Sequence, residues 1–235
     1  YRLSKKRECR MGESSNYKSV RLNTCPTINE LSSLSIGNIV YLDGFVYTGR
    51  EGVYMHVLEK GNKLPSKLTD ISLANFHCSP AATQHEDGTF DMGAVTATAS
   101  FRFSKWIGEW LKISNAKLII GKGGMNPSDY KKHFVPNNAI YLTTVGYGTG
   151  ALLGRGVKNV KDLHWKNELG LAQAMWVIEV ENFGPFIVES DLNGNSLFER
   201  ENKKISENLK QIYKDTKAPV LRRFGETDDR SEELI

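Results

Sequence analysis

Cysteine is scarce in this chain: Cys9, Cys25 and Cys78 are widely spaced, odd in number and form no Cys-x-x-Cys pair. That usage fits neither a disulfide framework nor a zinc site, and it points to a reducing, cytoplasmic compartment. No apolar run approaches the ~20 residues of a membrane helix, which excludes a helical transmembrane role. The basic N-terminal stretch contains no apolar segment, so it does not read as a secretory signal, although a start at Tyr1 rather than Met leaves room for a removed leader. His56, His77, His85, His133 and His164 are scattered, and no two share a spacing that suggests a metal site. No internal repeat divides the chain.

What is present is ordinary for a globular protein. The 235 residues are 40% hydrophobic and 25% charged, enough for one sizeable core. The net charge of +4 is modest, and Arg2, Lys5, Lys6, Arg7 and Arg10 concentrate the basicity at one end. A solvated terminus is the plain reading of that end, and it lacks the interleaved aromatics that stack on bases, so no nucleic-acid partner is expected. The organisation expected is an N-terminal arm over 1–26, flexible at least through residue 16, one domain over 27–214, and a charged tail over 215–235.

Periodicity outlines the domain. A first short strand is expected over 18–22. Ile39 to Leu42 and Phe45 to Tyr47 flank Asp43-Gly44, which reads as a two-residue hairpin turn because such turns require positive φ. Val53, Val57 and Leu58 predict a helix over 51–59, stopped at Gly61-Asn62. A buried strand over 73–76 runs into His77-Cys78-Ser79-Pro80, and a loop leads on to Thr98. Phe103, Trp106, Ile107, Trp110 and Leu111 lie on one helical face, ending near Asn115. Strands are expected over 117–120 and 140–145, the latter followed by a turn with Gly146, Gly148 and Gly150 that opens a helix. Two β-rich segments, 175–180 and 185–189, precede a last helix carrying Phe198, Ile205, Leu209 and Ile212 as a stripe suited to packing on the body. Strand, helix and strand in this order predict a single layered α/β domain.

Three cations stand on three loops. Gly49-Arg50-Glu51 opens the first expected helix, Thr98-Ala99-Ser100-Phe101-Arg102 forms a turn, and Gly121-Lys122-Gly123-Gly124 follows a strand. Guanidinium groups grip carboxylates with two prongs and lysine acts as a point charge, so a small dicarboxylate is the natural ligand. Each residue also has a plain alternative. For a lone arginine the surface ion-pair reading of Arg50 and Arg102 is several times the more common, and Lys122 reads about as often as a solvated lysine in a tight turn. The glycine loop is no Walker loop, since Ala116 holds the first glycine's place and Gly123 follows the lysine. A carboxyl-end position on a strand nevertheless favours a ligand, because α/β sheets bind there. Thr98 is a weak base alone and needs neighbouring cations or a partner base to do chemistry.

Taken in order, a longer set of signatures resembles a known family. They are Ile36-Gly37, Thr48-Gly49-Arg50-Glu51, His77-Cys78-Ser79-Pro80, Thr98 to Arg102, Ile119 to Met125, Tyr141 to Gly146, Glu168-Leu169-Gly170 and Met175 to Val180. Over about 34–199 they resemble the β subunit of the two-subunit iron-sulfur hydro-lyases, class I fumarate hydratase and L(+)-tartrate dehydratase, which corresponds to the C-terminal domain of single-chain members. The resemblance implies a swivelling β/β/α domain. It implies an α subunit as partner, two of each chain in a hetero-oligomer, with a 4Fe-4S cluster held by cysteines of that partner and not by this chain. It further implies that Arg50, Arg102 and Lys122 hold the substrate carboxylates and that Thr98, with Lys122 beside it, takes part in proton transfer at carbon.

The chain departs from the family pattern around those residues. Arg-Asp-x-x-His is here Arg50-Glu51-Gly52-Val53-Tyr54, Thr-Thr-x-x-Arg-Met is Thr98-Ala99-Ser100-Phe101-Arg102-Phe103, and Glu-Ala-Ile-Trp is Gln173-Ala174-Met175-Trp176. The turn at Gly146 is also expanded. The reading that follows is a hydro-lyase β subunit converting fumarate and water to L-malate, with L(+)-tartrate dehydration as the near alternative. A non-catalytic small-anion-binding subunit that kept the fold is the rival.

Overall fold

A computed structural model describes residues 18–146 and 148–214. It places β1 at Ser19–Asn23, β2 at Ile39–Thr48, β3 at Ala74–Phe76, β4 at Cys78–Gln84, β5 at Phe90–Ala97, β6 at Leu118–Gly121, β7 at Ile140–Thr144, β8 at Val157–His164 and β9 at Met175–Ser190. The helices are α1 (Ile28–Ser32), α2 (Glu51–Tyr54), α3 (Leu68–Ile71), α4 (Ser104–Ser114), α5 (Pro127–Asp129), α6 (Gly150–Arg155), α7 (Lys166–Leu169) and α8 (Leu197–Ile212). The domain is α/β, as expected. Cys9, most of the arm and the tail over 215–235 lie outside the described residues. The chain divides into two units, Tyr1–Phe198 and Glu199–Ile235, and the second holds most of α8. That helix is amphipathic as its stripe requires, and none of its residues is buried.

Hydrogen bonding runs β1-β2-β3-β6-β7-β9-β8, and β2 pairs with β9 as well. The extra pairing closes β2, β3, β6, β7 and β9 into a ring. Within it β2, β3, β6 and β7 are mutually parallel, and β9 returns antiparallel to β2 and β7. Alternation then divides the side chains between two cores. Leu118, Ile120, Ile140, Leu142 and Ile178 face one, while Ile119, Tyr141 and Val177 face the other. Phe76 on β3 meets Phe183 and Phe186 on β9 at ring separations of 5.9 and 5.8 Å, although those strands are not hydrogen-bonded neighbours. Such a contact spans the interior of the ring.

The second core is covered by α4, whose expected face is realised with Trp106, Ile107, Trp110 and Leu111 buried. Burying each of these is worth roughly 1.5–3 kcal/mol, which outweighs any propensity term. The helix stops at Asn115, which takes the left-handed conformation that asparagine tolerates. Tyr54, in α2, packs edge-on against Trp110 at 4.7 Å and stacks on Trp106 at 5.8 Å.

Three local expectations are corrected. Asp43-Gly44 is not a hairpin turn but the middle of β2, which runs on through it, parallel to β1 and antiparallel to β9 with an irregularity at Leu42/Gly44 in the β9 pairing. Glycine is needed there for another reason: φ is +122°, and a Cβ would collide with Thr24 Oγ1, which accepts the Phe45 N–H at 3.0 Å. Asp43 meanwhile takes two bonds from Arg21 and one from the Asn182 N–H. The expected loop before Thr98 is a β4–β5 hairpin turning through Asp87-Gly88. The two β-rich segments after Met175 form one strand, bent where Asn182 takes positive φ.

Candidate functional site

The parallel strands present their carboxyl ends side by side. Thr48 is level with Phe76, Phe76 with Ile120, and Ile120 with Leu142. Arg50, Cys78, Lys122 and Thr144 therefore emerge at one height from β2, β3, β6 and β7. With adjacent strands ~4.8 Å apart, Arg50 and Lys122 start from backbones roughly 10 Å apart. This is the edge at which α/β sheets bind ligands.

Thr98 is brought to the same edge by backbone bonding alone. Its N–H donates to the His77 carbonyl at 2.6 Å, its carbonyl accepts the Lys122 N–H at 3.2 Å, and the Ser100 N–H donates to the Lys122 carbonyl at 3.1 Å. The Thr98–Ser100 segment thus lies between the ends of β3 and β6, and Arg102 follows within a tight helical turn over Ser100–Phe103. Arg102 Nη2 lies 3.6 Å from Glu51 Oε2, with both side chains 48% exposed. That separation is an ion pair without a close hydrogen bond, worth at most about 1 kcal/mol, so it leaves the guanidinium easily redirected toward a bound carboxylate. Arg50 is half-buried. Its Nη1 donates to the Ala172 carbonyl at 3.1 Å while its Nε is buried with no hydrogen-bond partner. A small cavity of about 60 Å³ adjoins Lys122, lined by Thr96, Thr144, Gly146, Gly148 and Thr149 among others. Two larger cavities, about 420 and 370 Å³, lie elsewhere, around Arg155 and around Asp87.

Beneath these loops runs a polar chain that sequence reading missed. Asn75 Nδ2 donates to the Tyr54 hydroxyl at 2.8 Å, that hydroxyl is 2.6 Å from His77 Nε2, and His77 Nδ1 is 2.7 Å from Ser100 Oγ. The Tyr141 O–H donates to Ser100 Oγ at 2.7 Å. Every member is fully buried. Burial holds the His77 imidazole down to about pKa 3 and pushes the Tyr54 and Tyr141 phenols up, so the chain is uncharged near neutrality. Gly121 makes room for it, because a Cβ there would overlap Ser100 Oγ and crowd the Tyr141 hydroxyl. A second anchor holds the lysine loop, where the Met125 N–H donates to the Tyr130 hydroxyl at 2.7 Å.

The described residues do not fit an iron-sulfur cluster or a metal ion. Among them no three His, Cys, Asp or Glu side chains gather as a ligand set. Cys25 is half-buried, and Cys78 is buried with its thiol pushed up by desolvation, an effect that the nearby Arg50 charge opposes only in part. Among the described residues no helix is long and apolar enough to cross a membrane.

Comparison with known proteins decides the family. The model of the fumarase C-terminus family matches residues 2–201. The chain belongs to the fumarase C-terminus family. Among relatives, the Methanocaldococcus jannaschii protein provisionally named L(+)-tartrate dehydratase subunit beta is 36% identical over 189 residues, covering 79% of this chain and 94% of that one. The Escherichia coli K12 L(+)-tartrate dehydratase subunit beta is 30% identical over 207 residues, covering 87% of this chain and 95% of its own. A Geobacillus stearothermophilus protein provisionally named fumarate hydratase class I is 27% identical over 207 residues, which make up 38% of its length. Within this family, then, the chain matches the extent of the separate beta subunits and a minor part of the longer protein.

Proposed function

We propose that this chain is the β subunit of a two-subunit hydro-lyase that adds water to, or removes it from, a C4 dicarboxylate. The observation that supports this most is the convergence of Arg50, Arg102, Lys122 and Thr98 on one strand edge, in a chain that covers 94–95% of the length of relatives named tartrate dehydratase beta subunits. Arg50 and Arg102 grip the two carboxylates and Lys122 adds a fixed positive charge. Together they favour the negative charge that develops on a carboxylate as the adjacent C–H bond breaks. Thr98, held against Lys122 by the backbone, takes part in moving that proton. The C–O bond breaks at the neighbouring carbon, and hydroxide plus the proton leave as water.

The partner is an α subunit, two of each chain assembling together, and the 4Fe-4S cluster resides on that partner; among the described residues of this chain no ligand set gathers. Fumarate hydration is one substrate assignment. L(+)-tartrate dehydration is the other, and it is favoured by the names of the relatives whose length this chain matches. The discriminating experiment is anaerobic copurification with native partners, followed by iron assay and a panel of fumarate, L-malate and L(+)-tartrate. An iron-containing complex that turns over one of them supports the reading. A chain that captures no partner, or a complex without iron, counts against it and favours a small-anion-binding subunit.

A further inference from the structure

The three cations sit on separate loops, and a single buried chain of side chains reaches all three. Tyr54 belongs to the helix that Arg50 opens, and its N–H bonds back to the Arg50 carbonyl at 3.1 Å. Ser100 lies inside the Thr98–Arg102 turn. Tyr141, from β7, lies beside the Gly124 amide of the lysine loop and donates to Ser100 Oγ. Among the described residues His77 joins the Tyr54 end to the Ser100 end, with one ring nitrogen at 2.6 Å and the other at 2.7 Å.

We propose that His77 is a positioning residue, whose ring spans from the Arg50 helix to the Thr98–Arg102 turn and holds that turn through Nδ1. An uncharged imidazole is one donor and one acceptor, so it bonds one of the two hydroxyls as donor and the other as acceptor. Its own backbone contributes as well, since the His77 carbonyl accepts the Thr98 N–H and the His77 N–H donates to the Ile120 carbonyl at 2.8 Å. Phe103 closes the ring's flank edge-on at 4.7 Å. The ring therefore has little freedom. Losing Nε2 leaves Tyr54 still held by its bond from Asn75 and its packing on Trp106 and Trp110, whereas losing Nδ1 frees the turn that carries Thr98 and Arg102 to shift. This inference rests on the proposed hydro-lyase site, and it names what holds that site to its geometry.

The two nitrogens can be tested separately in the complex with its native partner. His77→Asn keeps an amide nitrogen near the Nδ1 position facing Ser100, and His77→Gln keeps one near Nε2 facing Tyr54. The turn carrying Thr98 and Arg102 depends on the first. His77→Asn is expected to stay within about threefold of parent kcat/KM, whereas His77→Gln and Ser100→Ala are expected to lose roughly 10- to 100-fold, the scale of a misplacement near 1 Å. Hydrogen exchange at the Ser100 and Lys122 amides, whose bonds hold the turn, supplies a readout independent of turnover. It is expected to quicken in His77→Gln and Ser100→Ala but not in His77→Asn. Equal losses in the Asn and Gln variants, or parent-like exchange in His77→Gln and Ser100→Ala, would overturn the positioning role. If the parent complex turns over no C4 acid, the hydro-lyase reading fails, and the exchange measurement still decides the role of His77.

Discussion

Lys122 and Thr98 share a backbone hydrogen bond of 3.2 Å, although one ends a strand of the closed ring and the other follows a separate hairpin. The bond places the Thr98 residue and the base of the lysine side chain at one point of the sheet edge, the neighbourhood that the proposed proton transfer at Thr98 calls for.

Thr98→Val keeps the side chain's shape and removes its hydroxyl. In the assembled complex kcat is expected to fall roughly 100- to 10,000-fold with little change in KM, the range for a lost proton-transfer group. Lys122→Met is expected to damage both parameters. Anaerobic steady-state kinetics, with iron content checked in each variant, separate the two. A near-normal kcat in Thr98→Val would remove the threonine from proton transfer.

Arg102 is exposed and loosely paired with Glu51, so its removal should spare folding. Arg102→Ala is expected to lower kcat/KM by roughly 30- to 1000-fold, about 2–4 kcal/mol for a charge-assisted contact to substrate, while Tm stays within a degree or two. An unchanged kcat/KM would make Arg102 a surface ion-pair residue and nothing more.

Arg50 and Lys122 stood out in the sequence because each follows an apolar run that ends abruptly, while Arg102 stood out only within the Thr98–Arg102 turn. Their arrangement was not legible there, since it depends on the parallel register of β2, β3 and β6. The Asp43-Gly44 error has the same origin. The local turn signal was sound, but the partners that keep β2 extended, β1 and β9, are distant in sequence, and Thr24 supplies the close approach that requires glycine. The buried chain left no sequence signal, since Asn75, Tyr54, His77, Ser100 and Tyr141 come from several elements and meet only after the sheet has closed. His77 stood inside a recognisable motif, yet nothing local distinguished it from the other scattered histidines.

His77 also gives stability a pH dependence with a defined sign. Burial holds its folded pKa down to about 3, below the ordinary 6.5 expected once the chain unfolds. Above that ordinary value neither state binds the proton and the contribution is fully present. As pH falls below it the unfolded chain takes up a proton that the folded one refuses, so stability declines by up to about 1.4 kcal/mol per pH unit until the folded pKa is reached. Denaturant titrations at several pH values should show this decline in the parent, and should show it weakened by one proton in His77→Asn. Identical slopes would mean that the imidazole is protonated in the folded chain.

Gly121 lies where the chain crosses β6. Gly121→Ala pushes a methyl group into Ser100 Oγ and the Tyr141 hydroxyl, and is expected to cost about 1–3 kcal/mol by overpacking. Thermal unfolding of the variant measures the loss. A Tm equal to the parent's would show that the Ser100–Tyr141 contact is slack.

The most direct test of the central claim is turnover of C4 dicarboxylates by the anaerobically copurified complex, measured for the parent and for Arg50→Ala with matched iron content. The expected result is parent activity on fumarate and L-malate or on L(+)-tartrate, and a loss of roughly 30- to 1000-fold in kcat/KM when Arg50 is removed. An intact, iron-loaded complex whose activity is unaffected by Arg50→Ala, or which acts on none of these acids, would contradict it.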